Sequence, residues 1–332
     1  MINRQVLLVN RPGGIAQAAD FQIVERPVEP LPDGAFRVAN RFLSVDPAMR
    51  GWIADVGNYA QPVPVGGVMR SLAVGEVAES RHPDIAVGTM LVGWFGWQDF
   101  AVATPQDIVR RVIESDLPLS LTLGILGING VTAHLALTKV GQPVAGDTVL
   151  VSTAAGSVGS AVGQIANLLG CRIVGIAGGP AKVAQCLDLF GYDAAIDYRA
   201  EGLEDAICAA CPDGVNVYFD NVAGRISDAV CPRLALHARV VVCGTASVSS
   251  SDPWPRGPRV ERYLLTKRAR MEGFVIFDHD ADYLASVEQL AAWVREGKLV
   301  YRENILEGIE ACPDALAGLY RGEKDGKRLI RL

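Results

Sequence analysis

Short apolar runs separated by turn residues fill the first third of the chain, and their spacing predicts strands over 5–9, 21–25, 35–42, 72–79 and 89–93. Gly and Pro crowd the intervals, as in Arg11-Pro-Gly-Gly and Pro30-Leu-Pro-Asp-Gly34, so this part reads as β-rich and barrel-like. The aromatic patch Trp94-Phe-Gly-Trp97 is read as core rather than pocket wall. Near residue 115 the period changes. A helical apolar stretch over 117–136 is interrupted by Gly127-Ile-Asn-Gly130-Val-Thr-Ala. Strands are then expected at 147–153, 171–176, 194–197, 215–219 and 238–243, alternating with helices at 157–169, 180–189, 202–210 and 225–234.

Continuous apolar strands such as Val215-Asn-Val-Tyr-Phe219, each followed by a helix, indicate a doubly wound parallel sheet of the Rossmann kind. After a Ser/Pro/Gly-rich loop over 247–258, a helix, a strand over 271–277 and a helix over 281–296 follow. The tail carries a strand near 299–303, a helix near 312–321 and a last strand over 328–332, which are expected to rejoin the first part. The expected fold is therefore α/β: a nucleotide domain over 121–298 inserted between the parts of a β-rich domain, 1–120 and 299–332.

The 332 residues fit two domains. The formal net charge of −6 argues against a general affinity for nucleic acid or acidic membranes. No apolar stretch approaches ~20 residues and the N-terminus has no leader-like core, so a cytoplasmic protein is expected. Seven cysteines, all past residue 170, do not resemble a secreted disulfide framework. Cys208-Ala-Ala-Cys211 spells CxxC but lacks a second pair or a nearby histidine, so no metal or redox role is assigned to it.

The chemistry centres on Asp147-Thr-Val-Leu-Val-Ser-Thr-Ala-Ala-Gly156-Ser-Val-Gly159-Ser-Ala-Val-Gly163, an apolar strand that ends in small residues and opens into a helix. The start of such a helix offers unpaired N–H groups and a positive dipole end, which suit a pyrophosphate. Against the dinucleotide pattern GxGxxG, Ala154, Gly156 and Gly159 hold the three positions. The next strand ends in Gly178-Gly179-Pro180, where an NAD-preferring site would place an acid for the ribose 2′-hydroxyl. Lys182 follows instead, disfavoured by the helix dipole but suited to a 2′-phosphate beside the small Gly178–Gly179 pair, so NADP(H) is expected over NAD. Tyr198 is placed to flank adenine, while Asp220-Asn221 and Cys243-Gly244 fall at the carboxyl ends of later strands.

Taken together, these features resemble the zinc-independent medium-chain dehydrogenase/reductases, within them the prostaglandin reductase, leukotriene 12-hydroxydehydrogenase and alkenal double-bond reductase group. The resemblance rests on Leu43-Ser-Val-Asp-Pro-Ala-Met-Arg-Gly51, Leu126-Gly-Ile-Asn-Gly-Val-Thr-Ala133, Ala154-Ala-Gly-Ser-Val-Gly-Ser-Ala-Val-Gly-Gln164, Tyr218-Phe-Asp-Asn-Val-Ala-Gly224, Arg268-Ala-Arg-Met-Glu-Gly-Phe274 and Gly322-Glu-Lys-Asp-Gly-Lys327, which span nearly the whole chain. It implies a GroES-like first domain and NADPH-dependent reduction of the C=C bond of a small α,β-unsaturated carbonyl, usually by a homodimer. It also implies that Gly156, Ser157, Val158 and Gly159 hold the pyrophosphate, Gly179 and Lys182 the 2′-phosphate region, and Tyr198 the adenine. By the same resemblance Asn221, the 243–249 loop with Cys243 and Gly244, and Phe274, Val275 and Ile276 line the nicotinamide end. Three positions depart from the family pattern: Ala48 replaces a pocket aromatic, Lys324 stands nearest a cofactor-contacting Asn, and Thr266 replaces a tyrosine proposed as an acid.

Hydride addition to an enone builds negative charge on the carbonyl oxygen and requires a donor there. Tyr59 and Tyr263 are the candidate donors, with water or a ribose hydroxyl as the alternative, and a purely structural tyrosine is at least as expected for each. Arg50 is expected in a surface ion pair, with a substrate carboxylate as the alternative. Zinc alcohol dehydrogenase chemistry is disfavoured because no cysteine precedes Cys171. Tyr263-Leu-Leu-Thr-Lys267, with Ser250 upstream, spells the short-chain dehydrogenase motif, but the prolines near Trp254 and the long β-rich start make it a coincidence. Quinone reduction and non-catalytic NADPH binding on the same fold stay as alternatives.

Overall fold

The computed structural model describes every residue except 56–58, 249–252, 254 and 324–325. Lys324, Ser249, Ser250 and Trp254 thus lie outside the described residues. The chain divides into two compact units, Met1–Gly124 with Glu303–Leu332, and Ile125–Arg302.

In the first unit a mixed, mostly antiparallel sheet runs in the order Glu303–Glu307, Lys327–Arg331, Phe36–Ser44, Ala73–Ser80, Met90–Gly93, Ile108–Arg111. Phe100–Ala103 also pairs with Phe36–Ser44, and Ile2–Leu8 forms a hairpin with Phe21–Pro27. The core between these strands includes Phe36, Leu43, Met49, Phe95 and Trp97. Phe95 and Trp97 are core residues, and the indole N–H of Trp97 donates to the Ser44 carbonyl at 3.0 Å. Two strands escape the sequence pattern, Phe100–Ala103 and Ile108–Arg111, because four residues are too few to set a period.

The tail strand begins at Glu303, later than expected, and pairs in parallel with Lys327–Arg331. That pairing, which only the folded tail supplies, selects Glu303–Glu307 over 299–303. In this unit the Lys327 ammonium is buried. It donates to Asp46 Oδ1 (2.6 Å), Ser44 Oγ (2.7 Å) and the Val45 carbonyl (3.2 Å). The last strand is thereby tied to the turn that follows Ser44.

In the second unit six parallel strands stand in the order Ala194–Asp197, Arg172–Ala177, Thr148–Ser152, Val215–Asp220, Leu234–Val242, Arg270–Gly273. The chain winds outward in one direction from Thr148–Ser152 and in the other from Val215–Asp220, so the switch point lies between these two strands. Val149, Leu150, Val151, Val217, Tyr218 and Phe219 are completely buried, as strands covered on both faces require. The expected strand over 271–277 is shorter, Arg270–Gly273, and a 3₁₀ turn at Ile276–Asp278 follows it. No helix of the described residues is long and apolar enough to cross a membrane.

Candidate cofactor site

Strand Thr148–Ser152 ends at Thr153, whose φ of 54° is unusual for a β-branched residue, and the chain turns into the helix Ser157–Leu168. No side chain caps this helix; Gly156, extended at φ −80° and ψ 170°, is its N-cap. The N–H groups of Ser157, Val158 and Gly159 precede the first bond of the helix, Ser160 N–H to the Gly156 carbonyl at 2.9 Å. A Cβ on Gly159 would stand 2.3 Å from the Thr153 carbonyl oxygen, so only glycine lets the helix start this close to the strand end. Tyr192 seals the same helix from behind: its hydroxyl donates to the Gly159 carbonyl at 2.7 Å, and its ring occupies the space a Cβ on Gly163 would take.

Across the switch point Asn221 is locked onto the neighbouring strand. Its amide donates to the Ser152 carbonyl at 2.6 Å, and its backbone N–H donates to Ser152 Oγ at 2.8 Å. Buried Asp220 organises the turn, accepting from Val222 N–H and Ala223 N–H (both 2.9 Å) and Ser227 Oγ (2.5 Å). The Cys243 and Gly244 N–H groups reach the Asp220 carbonyl at 2.8 and 3.1 Å, bringing both residues beside Asn221. Burial and the Asp220 charge push the Cys243 thiol up to about 12, so it stays protonated at neutral pH. Phe274 N–H donates to the Val242 carbonyl at 3.0 Å, while the Phe274 ring stacks on His279 at 4.6 Å. Ile276 is buried, with Val275 extended before it.

Ala223 sits at φ 61° and ψ −160°, a region that is essentially glycine-only. The Asp220 carboxylate holds it there. Ala223→Gly is expected to raise stability by about 1 kcal/mol, read as a higher denaturation midpoint at unchanged slope; a lower midpoint would refute the strain.

At the outer end of the cradle, Gly179 (φ 94°) is the N-cap of the helix Pro180–Asp188, and Lys182 lies in its first turn. Tyr198 packs on Gly178, where a Cβ would come within 2.9 Å of its ring. Asp197 accepts from the N–H groups of Gly179 (2.8 Å) and Arg199 (3.0 Å), which hold its carboxyl below the usual range. Arg199 is a residue the sequence pattern did not single out. Ser152 also escaped notice there, although it is a polar ending on an apolar strand, which is a readable signal.

The two candidate donors lie in different units. Tyr59 is 55% exposed. Half-buried Tyr263 sits on the helix Glu261–Lys267, and the Thr266 hydroxyl bonds back to the Arg262 carbonyl at 2.9 Å. Arg50 corrects the expectation of a surface ion pair. It is buried, and donates to the carbonyls of Gly14 (2.6 Å) and Pro12 (3.3 Å). As for metal donors, the first unit holds one cysteine, buried Cys312, and His82 Nδ1 accepts from Asp84 N–H within its own turn. Among the described residues no group of three or more His, Cys, Asp or Glu comes together to hold a metal ion.

A family profile described as the N-terminal domain of oxidoreductase matches residues 4–111, and one described as zinc-binding dehydrogenase matches 157–293. The NADPH-dependent curcumin reductase of Escherichia coli (strain K12) is 37% identical over 99% of this chain and 97% of that protein. The NADP(+)-dependent 2-alkenal reductase of Nicotiana tabacum is 36% identical over the same shares. The crystal structure of CurA from Vibrio vulnificus in complex with NADPH superposes with a TM-score of 0.94 at 37% identity, over 99% of this chain and 98% of that one.

Proposed function

The chain belongs to the zinc-independent medium-chain dehydrogenase/reductases, and we propose that it reduces the C=C bond of α,β-unsaturated aldehydes or ketones with NADPH. The observation that carries this reading is the open helix start at Ser157–Gly159 beside Asn221 at the sheet's switch point. The chain bearing it is collinear with NADP-dependent reductases of curcumin and alkenals.

The residues fit the cofactor. Gly156, Ser157, Val158 and Gly159 would hold the pyrophosphate through backbone N–H groups, at a helix start that no side chain among the described residues caps. Gly179 and Lys182 would take the 2′-phosphate and Tyr198 the adenine. Asn221, Cys243, Gly244 and the 274–276 segment would border the nicotinamide. Bound there, NADPH supplies the hydride. The Ser152–Asn221–Asp220 bonds keep that border rigid, so the backbone need not reorganise as charge develops on the substrate.

Tyr59 or Tyr263 would donate to the carbonyl oxygen as negative charge builds on it. Tyr59→Phe and Tyr263→Phe separate the two: loss of the true donor lowers kcat and kcat/KM together, while a structural tyrosine leaves both unchanged. If neither falls, water or a ribose hydroxyl has the role. A screen of 2-alkenals, enones and quinones, followed by NADPH absorbance, tests the function itself. Turnover of alkenals and enones is expected; turnover of quinones alone would assign a quinone oxidoreductase instead.

The assembly would be a cytoplasmic homodimer. Its support is the edge strand Arg270–Gly273, exposed along its length, which in antiparallel self-pairing about Met271 sets Arg270 against Glu272 of a second copy. Light scattering at twice the 35.3 kDa chain mass checks it.

A further inference from the structure

We propose that Arg199 is a second cationic ligand for the 2′-phosphate and, with Lys182, sets the preference for NADPH over NADH. The inference rests on the NADPH reading above and extends it to a residue with no role there.

The geometry is local and specific. An atom built at the Cβ position of Gly179 would lie 3.9 Å from Arg199 Nη1, so the guanidinium borders the space left open by that glycine. Lys182 lies in the first turn of the helix that Gly179 caps, three residues later, so the two cations come to this turn from different elements of the sequence. The placement of Arg199 is held from two sides. Its backbone N–H donates to Asp197 Oδ1, the atom that also takes the Gly179 N–H, so the end of one strand fixes the turn after its neighbour. Its guanidinium carbon lies 5.8 Å from the centre of the Tyr198 ring, a cation–π distance.

Charge and chemistry agree with the placement. The Arg199 side chain is exposed, and its positive charge also helps to hold the Asp197 carboxyl down. A guanidinium fork matches two phosphate oxygens at once, whereas an ammonium acts as a point charge. No acid occupies the Gly178–Gly179 turn, where it would repel a phosphate and serve a ribose hydroxyl instead. Asp197 lies beyond that turn, and its Oδ1 is committed to two backbone N–H groups.

The test is direct binding of NADPH and NADH, and of adenosine 2′,5′-bisphosphate against 5′-AMP, by calorimetry on the full chain. Arg199→Ala, Arg199→Lys and Lys182→Ala are compared with the unaltered protein. Arg199→Ala is expected to weaken NADPH and the bisphosphate on the order of tenfold to a hundredfold, the size of a lost charged hydrogen bond. NADH and 5′-AMP should change by less than about twofold, the reading expected of surface substitutions away from a contact. Arg199→Lys should restore part of the loss, because it keeps the charge and loses the fork. Equal weakening of all four ligands, or no change with NADPH while Lys182→Ala still loses it, would overturn the role of Arg199. An unaltered protein with no preference for NADPH would overturn the cofactor reading itself. The melting temperature of each variant, expected unchanged, separates binding from folding.

Discussion

Lys327→Met is expected to cost the protein about 3–5 kcal/mol, the loss that follows when one partner of a buried ion pair is removed. The ammonium is 4% exposed and its partner Asp46 10%. Burial pushes the lysine pKa down, and the Asp46 carboxylate opposes that by attraction and by its hydrogen bond. Methionine would fill the stem's volume, yet it would leave a carboxylate in the interior without its cation. The Ser44 hydroxyl and the Val45 carbonyl would lose a donor at the same time. Since Lys327 begins the last strand and Asp46 follows Ser44, the damage should spread to the pairing of Lys327–Arg331 with Phe36–Ser44. Chemical denaturation would show a lower midpoint, and Lys327→Met with Asp46→Asn should recover part of it. A single variant as stable as the parent would mean that the pair contributes nothing.

The second large effect is expected from Gly159→Ala. The added Cβ would lie 2.3 Å from the Thr153 oxygen, 2.9 Å from its carbonyl carbon and 3.0 Å from Ala154 Cα. All three are backbone atoms, so no rotamer change relieves the clash. Thr153 already occupies a left-handed conformation and has little room to yield. The helix start must therefore move back from the strand end, carrying the Ser157–Gly159 N–H groups with it. Overpacking of this kind costs about 1–3 kcal/mol of stability. The displaced N–H groups should weaken dinucleotide binding on the order of tenfold or more, since charge-assisted bonds are lost. NADPH and NADH share the pyrophosphate, so both should suffer equally, unlike the selective loss expected at Arg199. Titration with each cofactor checks this, and unchanged affinity would remove the pyrophosphate from this turn.

Much of the second unit was legible in the sequence because its signals are local. Val149–Val151 and Val215–Phe219 are apolar throughout, and glycines mark where the helix must approach the strand end. The insertion of this unit between two stretches of β structure could be read from the change of period near residue 115. What the sequence hid depends on contacts made across long separations. Arg50 looked like a surface cation because its acceptors are backbone carbonyls at Pro12 and Gly14, which no residue type advertises. Lys327 appeared in the sequence only as the end of the Gly322–Lys327 motif; its burial follows from contacts about 280 positions away. Arg199 went unremarked because its approach to Gly179 depends on Asp197 joining two neighbouring strand ends. The candidate donors Tyr59 and Tyr263 are chosen by chemistry rather than by position, since each lies in its own unit.

On the proposed function, this chain delivers hydride to the β-carbon of an enone. The most direct measurement is reduction of a simple enone and a 2-alkenal with NADPH deuterated at C4 of the nicotinamide, with the products read by NMR. A saturated ketone or aldehyde carrying deuterium at the β-carbon is the expected result. An allylic alcohol with deuterium on the former carbonyl carbon would contradict it.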